Sequence, residues 1–204
     1  MLFTKDKMAV VLRGLYENIN GHDGVKICLK QGSCNFENWI QIELCRHLQN
    51  EFSSDFDIKI EEKVGPFVKV VLNQLPLPGA SNYIDVLMSP KLNDGSVVIE
   101  IKIARLGGDK SDVKINRIKK DINKLILFDK EKDQRILLCV VYKTEGAFEK
   151  GWGPFVGKGE GDYQKDIINC LKLKDLYNER NHFTCPENGM INGVREILLD
   201  CFIF

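Results

Sequence analysis

Two β-rich runs separated by a turn signal constrain the fold of this chain more than any other feature. Residues 83–88 read Tyr-Ile-Asp-Val-Leu-Met, and residues 97–103 read Val-Val-Ile-Glu-Ile-Lys-Ile. An Asn-Asp-Gly sequence at 93–95 lies between them, and such a sequence between two runs of this kind is typical of a tight turn. The sequence therefore predicts a β-hairpin, with one strand on each side of the turn.

The rest of the chain is predicted to alternate between helices and strands. Apolar residues recur at helical spacing and predict helices in four segments, which are 5–19, 35–50, 111–129 and 162–178. Period-two alternation or a continuous apolar run predicts further strands at 56–61, 67–72 and 135–142. The glycine-rich segment 151–161 lacks Ser or Thr after its Lys158, so we expect a surface loop there and not a phosphate-binding loop. This order of elements indicates an α/β protein.

Length and charge exclude several classes of protein. The chain has 204 residues, 44% of them hydrophobic, which suits one core, and we expect a single domain over 1–204. Its 29 Lys and Arg residues balance 29 Asp and Glu residues, which excludes binding to nucleic acid through bulk positive charge. No apolar run approaches the roughly 18 to 20 residues that span a bilayer, and the N-terminal sequence does not resemble a signal peptide. We expect a cytoplasmic protein with no membrane partner.

The cysteines do not form a recognisable pattern. There are seven of them, with no Cys-x-x-Cys pair, and the chain has only three histidines. Neither a disulfide framework nor a zinc site is expected from this distribution. Several of the cysteines, such as Cys139, are surrounded by apolar residues, so we expect small buried side chains in a reducing compartment.

Three polar residues of the predicted hairpin are the strongest candidates for a functional site. Period-two alternation places Glu100 and Lys102 on one face of their strand, opposite the isoleucines. Asp85 can reach the same face if the two strands pair around the turn. Burying ionised groups is costly unless they are paired or hold a cation. Oxygen ligands of this kind suit a hard divalent ion such as Mg²⁺.

This arrangement resembles the PD-(D/E)xK nuclease superfamily, whose members share the restriction endonuclease-like fold. The resemblance covers about residues 35–142, which leaves 143–204 as a C-terminal extension. It depends on a helix, a hairpin, and a following helix and strand, and the matching residues are Glu43, Asp85, Glu100 and Lys102. Ile84 stands where the family name has proline. The resemblance implies a restriction endonuclease-like core, with a central mixed β-sheet flanked by helices.

The same resemblance implies a metal-dependent nuclease that hydrolyses phosphodiester bonds. The expected activity is that of a DNA endonuclease of restriction, defence or repair type. Asp85 and Glu100 are the expected ligands of Mg²⁺, with Mn²⁺ as the alternative metal. Lys102 is expected to position or activate the attacking water, and Glu43 to assist the metal site from its helix.

The helix that follows the hairpin is rich in basic residues that could contact phosphates. The candidates for substrate binding are Lys114, Arg117, Lys120 and Lys124. Lys114, Arg117 and Lys124 recur near helical spacing opposite the isoleucine face, and Lys120 is an auxiliary candidate. The alternative is that this basic face is only solvated.

The apolar run at 197–204 leaves two interpretations open. It is either an ordinary core strand of the monomer or a surface that self-association covers in a homodimer.

Two other functions fit the same residues. The chain could be a non-catalytic module that binds nucleic acid or protein on the same fold. It could also be a structural protein in which the charges form surface ion pairs. Mg²⁺ binding in solution discriminates between these interpretations, because an ion-paired surface would bind none.

Overall fold

The computed structural model describes eight segments of the chain, which are 3–22, 36–63, 83–92, 94–106, 111–128, 131–143, 160–185 and 197–204. The predicted strand at 67–72 and most of the glycine-rich segment 151–161 lie outside them.

The described segments contain four α-helices and six β-strands. In chain order they are α1 (Lys5–Gly21), α2 (Phe36–Phe52), β1 (Phe56–Lys63), β2 (Tyr83–Pro90), β3 (Val97–Leu106), α3 (Ser111–Leu125), β4 (Gln134–Lys143), α4 (Glu160–Lys172), β5 (His182–Cys185) and β6 (Ile197–Ile203). The four predicted helices are confirmed, although α3 and α4 end before residues 129 and 178, where the sequence places their ends. The strand β5 was not predicted.

The six strands form one mixed sheet in the order β1-β2-β3-β4-β6-β5. Its strands β3 and β4 are parallel, as a connection through a helix allows, and each other neighbouring pair is antiparallel. The α/β class and the central mixed sheet flanked by helices are therefore confirmed. The predicted C-terminal extension supplies β5 and β6 to this same sheet.

The two faces of the sheet are covered by different helices. On one face Ile99 and Ile101 of β3 belong to a buried cluster with residues of α1 and α2, such as Leu12 and Leu44. On the other face Val98 belongs to a second cluster with residues of α3 and α4. Because successive side chains of a strand point to opposite faces, Glu100 and Lys102 lie on the same face as Val98.

The apolar run near residue 204 is a core strand of this sheet. Every residue of β6 is buried, and the strand pairs with β4 on one side and β5 on the other. The exposed apolar surface that would have favoured self-association is therefore not present in this run. A homodimer remains a prediction without that support.

Two further expectations concern cysteines and membranes. The cysteines at 45, 139, 170, 185 and 201 are all buried. Burial raises the pKa of Cys45 to about 11, so its thiol stays protonated and unreactive at neutral pH.

None of the described helices is long and apolar enough to cross a membrane.

Candidate active site

The hairpin brings Asp85 of β2 next to Glu100 of β3. The antiparallel register of these strands is given by the pairs Val86 with Ile99, Leu87 with Val98, and Met88 with Val97. Asp85 and Glu100 are the next residues beyond the pair of Val86 with Ile99 on the two strands. The carboxylate of Asp85 accepts a hydrogen bond from the backbone N–H of Ile101, with 2.7 Å between Oδ2 and N. The side chain of Gln41 on α2 donates to the carbonyl oxygen of Asp85 at 2.7 Å, which joins the helix to the hairpin.

Glu100 is completely buried. Its Oε1 lies 2.5 Å from Nζ of Lys124, and its Oε2 has no hydrogen-bond partner among the described residues. Burial, together with the charge of Asp85, raises the pKa of Glu100 to about 8, although the Lys124 ammonium opposes this shift. A buried carboxylate oxygen without a partner is costly, so this position favours the arrival of a cation or a proton.

Lys102 is held between carboxylates from helices on opposite faces of the sheet. Its Nζ lies 3.0 Å from Oε1 of Glu37, in the first turn of α2, and 3.5 Å from Oδ2 of Asp121 on α3. Burial alone would lower the pKa of Lys102, but the charges of Asp121, Glu37 and Asp85 outweigh burial and raise it. Lys102 is therefore a permanent ammonium group in this arrangement.

Lys124 is part of this cluster and not part of an exposed basic face. Only 5% of the residue is exposed, and its Nζ donates to the carbonyl oxygen of Tyr83 at 2.7 Å. The expected surface position of Lys124 was wrong because Glu100 and this carbonyl provide oxygen partners beneath the last turn of α3. Its ammonium also lies 3.8 Å from Oδ1 of Asp121, one helical turn earlier.

The other basic candidates are separate from the cluster or outside the described part of the chain. Lys120 is exposed to solvent. The side chains of Lys114 and Arg117 lie outside the described residues. The basic face of α3 therefore stays a prediction.

Glu43 lies in a different set of contacts from Glu100. Its Oε2 accepts from Nη2 of Arg46 at 2.7 Å and from Nδ2 of Asn18 on α1 at 3.2 Å. Glu37, six residues earlier in the sequence, is the acid of α2 that contacts Lys102. Two residues with this separation lie on different sides of a helix, so both cannot face the hairpin.

Sequence reasoning therefore missed two carboxylates of the cluster, Glu37 and Asp121. A usable signal for Asp121 was its position three residues before Lys124, because residues with this spacing are neighbours on a helix. Glu37 had no comparable signal, because which acid of α2 faces the hairpin depends on how that helix is rotated against the sheet.

The donor set of this cluster fits a magnesium ion. Within the described segments, no three His, Cys, Asp or Glu side chains are grouped as a ready metal site. Asp85 and Glu100 nevertheless converge, and Mg²⁺ commonly uses one or two carboxylates and keeps several waters. The carboxylate of the buried Glu100, whose Oε2 has no hydrogen-bond partner among the described residues, is a group that such an ion would satisfy.

Comparisons with known proteins identify no relative. The chain matches no protein-family model, no curated protein and no solved structure. The function has to be inferred from the geometry of the cluster itself.

Proposed function

We propose that the protein is a metal-dependent nuclease that hydrolyses phosphodiester bonds in DNA, as an endonuclease of restriction, defence or repair type. In this proposal the sheet and its helices form a restriction endonuclease-like core. The observation that supports it is the convergence of Asp85, Glu100 and Lys102 at the hairpin, where an oxygen of the fully buried Glu100 lacks a hydrogen-bond partner within the described part of the chain. Burying an acid with an oxygen that lacks a partner is costly, and a cation held by that acid would offset the cost.

Asp85 and Glu100 would hold the metal, which is Mg²⁺ or Mn²⁺. When bound, such an ion polarises a phosphoryl oxygen and lowers the pKa of a coordinated water. The hydrogen bond from the Ile101 amide fixes the orientation of the Asp85 carboxylate before any ligand arrives. A carboxylate that is already oriented loses less entropy when it binds a ligand.

Lys102 acts in this proposal as a fixed positive charge. Its raised pKa means that it stays protonated, so it does not remove a proton from the attacking water. Its ammonium group donates hydrogen bonds that orient this water against the phosphate, and its charge stabilises the negative charge that develops there. Glu37 and Asp121 keep the ammonium at the hairpin.

A second candidate function is a non-catalytic binding module on the same fold. It is favoured by one observation, which is that charges of the cluster are paired within the protein. The ion pairs are Lys102 with Glu37, Lys102 with Asp121, and Lys124 with Glu100. A network of this kind can be purely structural, and it would then bind no divalent metal.

Cleavage of defined substrates tests the proposal. The purified protein is incubated with supercoiled plasmid, linear duplex, single-stranded DNA and RNA, with Mg²⁺, Mn²⁺ or EDTA. We expect DNA cleavage that requires a metal and is lost in Glu100→Gln. The matched control is Asp57→Asn, because Asp57 is an exposed acid of β1. Absence of cleavage of every substrate, together with absence of Mn²⁺ binding, would favour the structural network.

A further inference from the structure

We propose that the Lys124 ammonium occupies the position of the metal ion in the metal-free protein, and that metal binding displaces it from Glu100. This inference depends on the proposed function, because it concerns the same metal site. In this inference the Lys124 ammonium competes with the metal ion for the carboxylate of Glu100. Lys124 would thereby set the metal concentration at which the site fills.

The contacts of Lys124 are those of a bound cation. Its Nζ lies 2.5 Å from Oε1 of Glu100, 2.7 Å from the carbonyl oxygen of Tyr83 and 3.8 Å from Oδ1 of Asp121. Carboxylate and carbonyl oxygens are also the protein ligands that Mg²⁺ accepts. One lysine therefore uses oxygens that are suited to a metal ion.

Because Glu100 is buried, simultaneous binding of the Lys124 ammonium and a metal ion to its carboxylate is unfavourable. The side chain of Glu100 is 1% exposed and that of Lys124 is 6% exposed. Mg²⁺ usually retains several waters, so it needs volume beside the carboxylate that it binds. Two cations that share one buried carboxylate also repel each other strongly where water is excluded. If the ammonium leaves Glu100, space becomes free for the waters of the metal ion, and the repulsion between the two cations is removed.

Asp121 provides a place for the displaced ammonium. Its Oδ1 is already within 4 Å of Nζ of Lys124, while its Oδ2 contacts Lys102. Lys124 can therefore leave Glu100 and keep a carboxylate partner through a small rotation of its side chain. Without such a partner, displacement would leave a buried charge uncompensated.

Metal affinity of matched variants tests the inference. Mn²⁺ binding is measured by electron paramagnetic resonance for the full chain, for Lys124→Gln and for Lys119→Met. Glutamine has no charge but can still donate to the Tyr83 carbonyl. Lys119 is an exposed lysine of the same helix and serves as the control for the loss of one positive charge.

We expect Lys124→Gln to bind Mn²⁺ at least about tenfold more tightly than wild type, which corresponds to about 1.4 kcal/mol. Lys119→Met should differ from wild type only slightly, because its charge is exposed and screened. Equal or weaker Mn²⁺ binding in Lys124→Gln would overturn the inference. It would then show that Lys124 supports the metal site from its present position.

A measurement on the wild-type protein covers the case in which Lys124→Gln does not fold. The ¹⁵N resonance of the Lys124 ammonium, assigned by its loss in Lys124→Arg, is followed during a titration with Mg²⁺. We expect this resonance to shift or broaden at the Mg²⁺ concentration that saturates the site. A resonance that stays unchanged at saturation would overturn the inference.

These outcomes are separable from those of the proposed function. Cleavage of DNA by a protein in which Lys124→Gln leaves Mn²⁺ affinity unchanged would keep the nuclease proposal and overturn the displacement. Tighter Mn²⁺ binding in Lys124→Gln without cleavage of any substrate would keep the displacement and contradict the nuclease proposal. Absence of Mn²⁺ and Mg²⁺ binding in every variant would overturn both.

Discussion

The carboxylate of Asp85 and the backbone amide of Ile101 are joined by a hydrogen bond of 2.7 Å between Oδ2 and N. Backbone pairing of β2 with β3 covers Val86–Met88 in the described part of the hairpin. The side chain of Asp85 continues the link between the strands beyond that point. Asp85 therefore has two properties that can be separated by substitution: it accepts a hydrogen bond from Ile101, and it carries a negative charge.

Substitutions at Asp85 should separate these two properties. Asp85→Asn keeps an oxygen that can accept from Ile101, so we expect nearly wild-type stability and loss of metal-dependent cleavage. Asp85→Ala leaves the Ile101 amide without this acceptor, and we expect an additional loss of about 1 to 3 kcal/mol in the free energy of unfolding. Urea denaturation and a plasmid cleavage assay measure the two effects. Full cleavage by Asp85→Asn would contradict the role of Asp85 as a metal ligand.

Two acids of α2 are expected to differ in their effect on cleavage. Glu37→Gln removes a negative charge 3.0 Å from the Lys102 ammonium, so the lysine is held less firmly and cleavage should fall. Glu43→Gln removes an acid that contacts Arg46 and Asn18, and cleavage should stay close to wild type. Single-turnover rates at saturating Mg²⁺ compare the two variants. The reverse order of effects would restore Glu43 as the acid that assists the site from the helix.

The hairpin could be predicted from the sequence because its signals are local. Alternation within one strand fixes that Glu100 and Lys102 share a face, whatever the rest of the protein does. A turn sequence between two runs then makes these runs neighbours. The observed register confirms this prediction for β2 and β3.

The helical residues of the cluster could not be predicted in the same way. Lys120 and Lys124 are one turn apart and are both candidates for phosphate contact by sequence, yet Lys120 is exposed and Lys124 is buried. The difference comes from tertiary structure, since Lys124, in the last turn of α3, contacts Glu100 and the Tyr83 carbonyl. The rotation of α2 against the sheet likewise decides between Glu37 and Glu43. The strand β5 has four residues, which is too short for a recognisable alternation.

A second buried carboxylate, Asp200 of β6, is predicted to be structural. Its Oδ1 lies 2.7 Å from Nε2 of His182, accepts from Thr184 at 3.0 Å and accepts from Gln164 at 3.2 Å. These contacts join β6 to β5 and α4. Asp200→Asn introduces an amide that donates where several donors already point, so we expect a loss of about 1 to 3 kcal/mol in unfolding free energy.

Urea denaturation in EDTA measures the stability of Asp200→Asn. The matched control is the exposed Asp57→Asn, which should change the free energy of unfolding by less than about 0.5 kcal/mol. Cleavage by folded Asp200→Asn should persist. Loss of cleavage in a fully folded variant would place Asp200 in the catalytic machinery.

The pH dependence of stability provides a test of the environment of Glu100 without any metal. Its pKa is raised to about 8 by burial and by Asp85, whereas an unfolded glutamate titrates near about 4.3. Between these values the folded protein binds a proton that the unfolded chain releases. The contribution of Glu100 to stability is therefore complete below about pH 4 and is lost as the pH rises towards 8, by at most about 1.4 kcal/mol per pH unit.

Glu100→Gln removes this titration while it keeps the size and shape of the side chain. In EDTA we expect the free energy of unfolding of wild type, relative to that of Glu100→Gln, to decrease steadily from about pH 5 to about pH 8. Asp57→Asn should run parallel to wild type over the same range, because Asp57 is exposed. Urea denaturation at several pH values gives the three curves. Parallel curves for wild type and Glu100→Gln would show that the pKa of Glu100 is not raised in the folded protein.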